Sequence, residues 1–219
     1  QHLLYSEADF ERAAALLKKG TCILEAWIPF EMELAITVAQ DANNVFTSFP
    51  VTETIYREQK LVKTITPARV GGNIQKELEH IGKLAAKAMN LTGILTIETF
   101  MTSSGTLYVN RLVVRPHHSC NYSLDGCSIS QYEVLVRCIC GLPIPEIQLY
   151  DTSVTFNIME EKLDEALILL LTKPDWHFHF YGKKEHRAKR KMGHVTLLGD
   201  SPDTLINELE ENGLLESAE

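Results

Sequence analysis

The sequence predicts an α/β protein of the α+β kind, with a mixed or antiparallel sheet followed by a small β-rich C-terminal domain. Three observations support this fold class. Short apolar runs rich in β-branched residues follow one another over 22–65, as in an antiparallel meander. Two stretches, 76–90 and 128–140, carry apolar residues at helical spacing. After the proline-rich connector 142–149, strand-like and helix-like stretches alternate again.

The composition excludes several classes of protein. The chain has 219 residues, of which 45% are hydrophobic, so one large or two small domains with a substantial core are expected. The net charge of −8 argues for a soluble protein without a nucleic-acid-binding surface. No apolar run approaches the length of a membrane span, so no membrane partner is expected. The five cysteines are odd in number and lack zinc spacing, which predicts reduced thiols in a cytoplasmic protein.

The first third of the chain predicts one helix and then a run of strands. Ser6 to Asp9 resembles a capping box, and apolar residues at near-helical spacing follow, so a helix is predicted over 7–19. Lys18, Lys19 and Gly20 suit the C-terminal end of that helix. The predicted strands are 22–27, 32–40, 45–50, 52–56 and 61–65.

A helix and a hairpin follow. The apolar stripe within 76–90 predicts an amphipathic helix. Runs 94–101 and 107–114 are rich in Ile, Leu, Val and Thr, and they flank the turn-forming stretch 102–106, in which Gly105 is free to take a positive φ. A β-hairpin is therefore predicted at the centre of the chain.

The last part of the chain predicts the remaining helices and strands. Gly141 and Pro143 end the helix over 128–140. Alternation places His177 and His179 on one strand face, where a polar surface is favoured over a metal pair because no third ligand is near in sequence. The remaining predicted elements are strands at 153–159, 176–181 and 193–198, a helix at 161–171 and a last helix starting at 201.

The predicted hairpin contains polar residues that need an explanation. Glu98 interrupts the first strand, and Asn110 and Arg111 interrupt the second. A carboxylate in a core-like strand is costly unless it has a partner. On the residues alone, two interpretations stay open: Glu98 and Arg111 face solvent or pair with each other, or the hairpin carries a functional site that continues into the donor-rich loop 115–119.

The motifs of this hairpin and its surroundings resemble those of ATP-grasp ligases, and most closely the N5-carboxyaminoimidazole ribonucleotide synthase family. The matching segments are I-E-T-F, V-N-R-L, R-P-H-H-S-C-N-Y, S-I-S-Q-Y-E and R-K-M-G-H, and the resemblance runs from the first residues to about position 200. It implies an ATP-grasp C-terminal lobe over 23–142, a remnant of the lid subdomain over 1–22 and a C-terminal domain over 143–219. It also implies that the chain is a fragment lacking an N-terminal domain.

The resemblance implies a reaction. Members of the family use ATP to carboxylate aminoimidazole ribonucleotide with bicarbonate, forming N5-carboxyaminoimidazole ribonucleotide in de novo purine biosynthesis. ATP and Mg²⁺ are the implied cofactors, aminoimidazole ribonucleotide and bicarbonate are the implied small-molecule partners, and a homodimer is left open.

The resemblance also assigns roles to residues. Glu98 is the implied metal ligand. The implied catalytic residues are Arg115, His117 and Ser119, which contact carboxyphosphate and substrate. The implied ATP-binding residues are Glu25, Ala26, Trp27 and Ile28 at the adenine, Glu33 at the ribose, and Asn110. The implied substrate-phosphate residues are Lys183, Arg190 and Lys191, a cation cluster suited to a phosphate anion.

The chain departs from the family pattern around the implied metal site. Arg111 stands where the family has the second metal-binding carboxylate, and Tyr56 replaces a strand histidine that faces the nucleotide. The loop motif His-Asn-Ser-Gly-His is here His-His-Ser-Cys-Asn, over 117–121. Since Arg supplies only donors and a positive charge, a Glu98–Arg111 salt bridge is expected in place of the metal.

Three functional interpretations follow. The first is an ATP-dependent carbon–nitrogen ligase, present here as a fragment that binds ATP weakly and is inactive by itself. The second is a catalytically degenerate relative that acts as a nucleotide- or partner-binding module. The third is another ATP-grasp carboxylate–amine ligase, against which the R-K-M-G-H segment and the Ser-Gln-Tyr helix count.

Overall fold

A computed structural model of the protein describes residues 3–184 and 190–215. This part of the chain is organised around one nine-stranded sheet in the order β6-β5-β1-β3-β4-β7-β9-β8, with β2 paired to β1. Every strand pairing is antiparallel, which confirms the predicted α+β class. The strands are β1 (Met32–Gln40), β2 (Phe46–Ser48), β3 (Thr52–Arg57), β4 (Lys60–Thr66), β5 (Gly93–Met101), β6 (Leu107–Val113), β7 (Thr152–Met159), β8 (His177–Phe180) and β9 (Lys191–Gly199).

Each predicted helix is present, with shifted ends. The second begins earlier than its apolar stripe suggested, and the third begins after Ser130, whose hydroxyl accepts a hydrogen bond of 3.2 Å from the Glu133 N–H. Short 3₁₀ segments occur at Glu7–Asp9, His118–Leu124 and Glu160–Lys162. The α-helices are α1 (Phe10–Leu17), α2 (Gly72–Ala88), α3 (Gln131–Cys140), α4 (Leu163–Thr172) and α5 (Pro202–Glu211).

Helices α2 and α3 cover opposite faces of the sheet. Strand β1 is buried along most of its length, so both of its faces are apolar. Leu34, Ile36 and Val38 pack in the core under α2, while Ala39 on the other face packs in the core that contains Val134 of α3. The alternation of side chains along a strand explains this division. The hairpin β5–β6 is thereby fixed from both sides.

The sheet is tied together by threonine pairs between neighbouring strands. The hydroxyls of Thr37 and Thr96 lie 2.7 Å apart between β1 and β5. Equivalent contacts of 2.9 Å join Thr52 to Thr66 between β3 and β4, and Thr155 to Thr196 between β7 and β9. All six side chains are buried, so each hydroxyl needs the partner that the opposite strand supplies.

The C-terminal strands continue the same sheet. Strand β4 pairs with β7 through the register Thr64↔Thr155, which joins the first six strands to the last three. Helices α4 and α5 pack on this half and share a core that includes Ile65, Val154 and Leu197. Boundaries at 22/23 and 142/143 remain a prediction.

One predicted strand is wrong. The stretch 22–27 lies within 21–30, which has no helix or strand, and Ile23 and Leu24 are 84% and 80% exposed. An apolar run forms a strand only where a neighbouring strand accepts its backbone hydrogen bonds. The central hairpin, by contrast, is confirmed, with Gly105 at φ +81° in its turn.

Two further findings concern the chain as a whole. In the described ranges no helix is both long and apolar enough to cross a membrane. The five cysteines are free thiols, as predicted. Burial raises the pKa of Cys120 and of Cys127 to about 12, so both thiols are protonated at neutral pH.

Candidate active site

A carboxylate on the central hairpin forms the middle of the candidate site. The Glu98 side chain on β5 is 13% exposed. Its Oε1 atom accepts a hydrogen bond of 3.1 Å from the Tyr56 hydroxyl and lies 3.4 Å from Nε2 of His117. A carboxylate with so little access to water needs such partners, because an unpaired buried charge is costly. Strand β3 and the loop after β6 therefore meet at Glu98.

The predicted salt bridge between Glu98 and Arg111 is wrong. The register is the required one, since the two residues are direct cross-strand partners. Nevertheless, no ion pair joins them in the described structure, and Arg111 is exposed. The strand pairing is irregular immediately after Glu98. The Glu98 carboxylate instead contacts the Tyr56 hydroxyl and Nε2 of His117. Arg111 is left as a neighbouring, water-screened positive charge.

His117 is held rigidly beside this carboxylate. It is 2% exposed, and its backbone N–H donates to Oε1 of Gln131 at 2.9 Å. The Nε2 atom of Gln131 donates to the His117 carbonyl, also at 2.9 Å. The Ser119 backbone N–H donates to Nδ1 of His117 at 3.4 Å, and the Ser119 hydroxyl lies 2.9 Å from the same nitrogen. With Nδ1 as acceptor, the neutral ring carries its proton on Nε2, which faces Glu98.

The two neighbouring histidines are neutral at physiological pH. Burial, followed by the charges of Arg115, Arg111 and Lys191, lowers the pKa of His117 to about 4. Burial, followed by the charge of His117, lowers the pKa of His118 to about 3. Their ring centroids lie 3.9 Å apart with a tilt of 39°. Each neutral imidazole therefore has one unprotonated nitrogen, which in His117 is the Nδ1 atom that accepts from the Ser119 backbone N–H.

Two more groups adjoin Glu98 on the sheet. Burial, followed by the charge of Glu98, raises the pKa of Glu33 to about 7. Burial also raises the pKa of Tyr56, again with Glu98 as the next cause. The negative charge of Glu98 therefore disfavours ionisation of both Glu33 and Tyr56. The role of Glu33 at a ribose stays a prediction.

A hydrogen-bond network connects the His117 loop to the C-terminal strands. Asn121 accepts from Nε2 of Gln131 at 3.4 Å and from the Tyr132 hydroxyl at 3.2 Å. Its Nδ2 atom donates to the Tyr181 hydroxyl at 3.4 Å. That hydroxyl lies 2.8 Å from Nδ1 of His194, which is 2% exposed. The loop and the end of β8 are thus one hydrogen-bonded structure.

Two of the predicted phosphate-binding cations flank Tyr181. The Nζ atoms of Lys183 and Lys191 lie 5.3 Å and 5.8 Å from its ring centroid. Lys183 also donates to the Lys191 carbonyl at 2.7 Å. Burial, followed by the charge of Lys183, lowers the pKa of Lys191 to about 8. Arg190 is partly buried next to them, and residues 185–189 of the basic segment lie outside the described chain.

The predicted polar face of β8 has an acidic partner. Nε2 of His179 lies 2.8 Å from Oδ2 of Asp125, and Nδ1 of His177 lies 3.7 Å from Oδ1. Asp125 is more than fifty residues away in sequence, so local spacing could not indicate it. The ring of His179 also stacks on His194 at 4.7 Å. Asp125 is therefore the acidic partner of the histidine face of β8, next to the hydrogen bonds of Tyr181 and His194.

The predicted adenine-binding residues lie on the irregular segment before β1. Glu25, Ala26 and Trp27 are exposed, with Trp27 at 69%, and Ile28 is partly exposed. Phe30 stacks on Phe100 of β5 at 4.5 Å, which anchors the end of the segment to the hairpin. Within this segment the Ile28 carbonyl accepts a hydrogen bond of 3.0 Å from the Phe30 N–H. The adenine-binding role of 25–28 stays a prediction.

The residues around Glu98 do not suit Mg²⁺, which the resemblance implies. Mg²⁺ prefers an octahedral shell of oxygen atoms. The hairpin supplies one carboxylate from Glu98 and the exposed amide of Asn110, while Arg111 supplies only donors. The nearest additional ligand atoms are the nitrogens of His117 and His118, which lie with a Glu98 oxygen within 4.8 Å of one another. This donor set is too rich in nitrogen for Mg²⁺.

Sequence reasoning missed several residues of the site. Gln131, Asn121, Tyr181 and His194 all belong to segments whose motifs were recognised, yet none was assigned a role. The signal that could have found them is a polar residue at a position that the apolar pattern of a helix or strand predicts to be buried. Gln131, for example, is 0% exposed at the start of α3.

Comparison with known families agrees with the motifs. The ATP-grasp domain family matches residues 1–132, and the phosphoribosylaminoimidazole carboxylase C-terminal domain family matches residues 153–208. The chain is similar to N5-carboxyaminoimidazole ribonucleotide synthase of Bacillus subtilis, with 40% identity over 211 residues. That alignment covers 95% of this chain and 55% of the relative, so the chain spans little more than half of the relative's length.

Solved structures show the same similarity. An ADP complex of an N5-carboxyaminoimidazole ribonucleotide synthetase superposes with a TM-score of 0.92 at 35% identity, covering 96% of this chain and 56% of that one. The Aspergillus clavatus synthase in complex with ADP and 5-aminoimidazole ribonucleotide superposes with a TM-score of 0.87 at 26% identity. It covers 94% of this chain and 57% of that one.

Proposed function

Because the chain belongs to the ATP-grasp family and is homologous to N5-carboxyaminoimidazole ribonucleotide synthases along nearly its whole length, we propose that it serves the same reaction. In that reaction ATP drives the carboxylation of aminoimidazole ribonucleotide by bicarbonate in purine biosynthesis. The chain spans 55% of the Bacillus relative, so the activity, both substrates and the homodimer are proposals for this protein. Its five free thiols support a cytoplasmic location.

One observation supports this proposal: hydrogen bonds through Asn121 and Tyr181 connect the loop after β6 to the end of β8. The charge of Lys191 acts on both His117 and His118, although about seventy residues separate the two segments. Gln131 and Asn121 connect the segments by hydrogen bonds. A site of this composition has cations for a phosphate and neutral polar groups for an uncharged ring, which are the two parts of the proposed substrate.

The proposed roles follow from charge and position. Lys183, Arg190 and Lys191 would hold the substrate phosphate, with Tyr181 fixing the two lysines. Arg115, whose guanidinium donates to the Pro116 carbonyl at 3.0 Å, would face the carboxyphosphate. His117 and Ser119, already hydrogen-bonded to each other, would orient the reacting groups. For ATP, backbone groups of 25–28 would take the adenine and Glu33 the ribose, and Asn110 would complete the ATP site.

Binding of aminoimidazole ribonucleotide to the chain tests this proposal. In calorimetric titration we expect Lys191→Ala to weaken binding by roughly tenfold or more, since a charge-assisted hydrogen bond contributes about 1.5–3 kcal/mol. Lys83→Ala, at an exposed position of α2, is the matched control and should have no effect. Absence of binding to the unaltered chain, or equal binding by both variants, contradicts the proposal.

A second candidate function is a catalytically degenerate module that binds a nucleotide or a partner. The observation that favours it is Arg111, which lies directly opposite Glu98 in the position of an expected carboxylate. Manganese, an EPR-visible substitute for Mg²⁺, separates the two functions. For the degenerate module we expect no bound Mn²⁺ with Arg111 in place and measurable binding by Arg111→Glu. Tight Mn²⁺ binding by the unaltered chain, together with ATP turnover, would leave only the first function.

A further inference from the structure

Three ligand atoms converge beside the central hairpin. One atom each from Glu98, His117 and His118 lies within 4.8 Å of the other two. The Glu98 oxygen and Nε2 of His117 are 3.4 Å apart. Two ligands of a tetrahedral ion at Zn–N and Zn–O distances of about 2.0–2.2 Å stand roughly 3.3 Å apart. Glu98 and His117 therefore already have the separation that one shared ion requires.

The surroundings of His117 resemble the support that metal-binding histidines have. Gln131 fixes its backbone on both sides. When Nε2 binds an ion, the ring proton moves to Nδ1, which can then donate a hydrogen bond to the Ser119 hydroxyl 2.9 Å away. Such a second hydrogen bond orients the ring and selects its tautomer. With the proton on Nδ1, the Ser119 backbone N–H, 3.4 Å from that nitrogen, loses its acceptor. His118 is partly exposed, so a rotation of its side chain can bring its nitrogen nearer to the other two ligands.

We propose that Glu98, His117 and His118 form a binding site for a divalent transition-metal ion, specifically Zn²⁺. Two imidazoles and one carboxylate are a ligand set that suits zinc and not magnesium. Three protein ligands leave a fourth position open, as in zinc sites that bind water or a substrate oxygen. His118 is one of the positions at which this chain departs from the family motif. This site shares His117 with the proposed carboxylation site, and its affinity for a metal ion can be measured without turnover.

Positive charges oppose the ion and make the site tunable. Arg111, Arg115 and Lys191 all act on His117. Arg111 and Arg115 are exposed, so water and salt screen their charges. Arg111 lies directly opposite Glu98 across the hairpin, so its positive charge repels a cation bound at Glu98. Replacing Arg111 by a glutamate turns this repulsion into an attraction. Removal of His118 and replacement of Arg111 should therefore change the affinity in opposite directions.

Cobalt titration tests the site, because tetrahedral Co²⁺ absorbs visible light and Zn²⁺ displaces it. We expect one Co²⁺ per chain, released by one equivalent of Zn²⁺ and unaffected by millimolar Mg²⁺. His118→Asn should weaken Co²⁺ binding at least tenfold, and Arg111→Glu should strengthen it. His80→Asn, on exposed α2, and His177→Asn, beside Asp125, are controls that should bind as the unaltered chain does.

The outcomes are decisive in either direction. Absence of saturable Co²⁺ binding overturns the proposal. The proposal is also overturned if His177→Asn loses Co²⁺ binding while His118→Asn keeps it. If His118→Asn does not fold, anomalous diffraction at the zinc edge from crystals of the unaltered chain replaces it. A zinc peak between Glu98 and His117 supports the site, and a peak elsewhere or no peak refutes it.

Discussion

The side-chain amide of Gln131 holds the backbone of His117 from both sides. The His117 N–H donates to Oε1 and the Gln131 Nε2 donates to the His117 carbonyl, each at 2.9 Å. Gln131 is 0% exposed and lies at the first turn of α3. The loop that carries the candidate catalytic residues is therefore positioned by the first residue of α3.

Replacement of Gln131 should destabilise the fold. Gln131→Leu leaves the buried His117 N–H without a partner, at a cost of about 1–3 kcal/mol. It also removes one of two donors to the His117 carbonyl, which keeps the Cys120 N–H at 3.0 Å. We expect the free energy of unfolding in urea to fall by about 2–4 kcal/mol. Gln148→Leu, at an exposed side chain, is the control. A loss for Gln131→Leu no larger than that of the control would show that water replaces the amide.

Helix α2 depends on a glycine for its approach to β1. A Cβ atom on Gly82 would lie 2.6 Å from Cγ1 of Val38, whereas a Cβ on Gly72 would meet nothing within 4 Å. Gly82→Ala should therefore destabilise by about 1–3 kcal/mol despite the better helix propensity of alanine. Gly72→Ala should be neutral or stabilising. Thermal unfolding of the two variants compares them, and a stable Gly82→Ala would mean that α2 moves freely on the sheet.

The Arg69–Glu53 pair provides a third stability test. Arg69 donates to both carboxylate oxygens of Glu53 at 2.9 Å and 2.7 Å, and the Glu53 side chain is 6% exposed. Arg69→Met leaves a buried, unpaired carboxylate, so we expect a loss of about 3 kcal/mol in urea unfolding. Arg137→Met, which breaks a more exposed pair with Glu133, should cost less than about 1 kcal/mol.

A double variant checks the reason for this loss. Glu53→Gln combined with Arg69→Met removes the buried charge together with its partner, so it should recover most of the stability. If the double variant is as unstable as Arg69→Met, the loss arises from packing of the arginine side chain and not from the charge.

His194 should make the fold sensitive to acid. Burial, followed by the charges of His179 and Lys191, lowers the pKa of His194 to about 3, below the unfolded value of 6.5. A depressed histidine contributes stability that is fully present above pH 6.5 and is lost as the pH falls from 6.5 toward 3. The neighbouring groups are Asp125 at His179 and the Tyr181 hydroxyl at Nδ1 of His194.

Urea unfolding at several pH values measures this contribution. Between pH 6 and 4 the unaltered chain should lose stability more steeply than His194→Asn, by up to about 1.4 kcal/mol per pH unit. The comparison uses slopes, so any destabilisation of the variant at neutral pH does not affect it. Parallel curves would show that His194 is protonated in the fold at the same pH as in the unfolded chain.

Several elements were predictable because the signal for them is local. The hairpin of β5 and β6 follows from two β-branched runs around a turn with Gly105, and α2 and α3 follow from apolar residues at helical spacing. The stretch 22–27 had the same kind of signal and forms no strand, because no neighbouring strand accepts its backbone groups. The residue pattern indicates which element a segment can form, but whether a strand forms depends on a neighbouring strand from another part of the chain.

The sequence by itself determined most of the element types, the hairpin that carries Glu98 and Arg111, and the motifs that identify the family. Only the tertiary structure decided which side chains contact the Glu98 carboxylate. Tyr56 comes from β3, and His117 comes from a loop fixed by Gln131, so both reach Glu98 through packing of distant segments. Arg111 was the nearest partner by register, yet it remains in water, where its charge needs no partner.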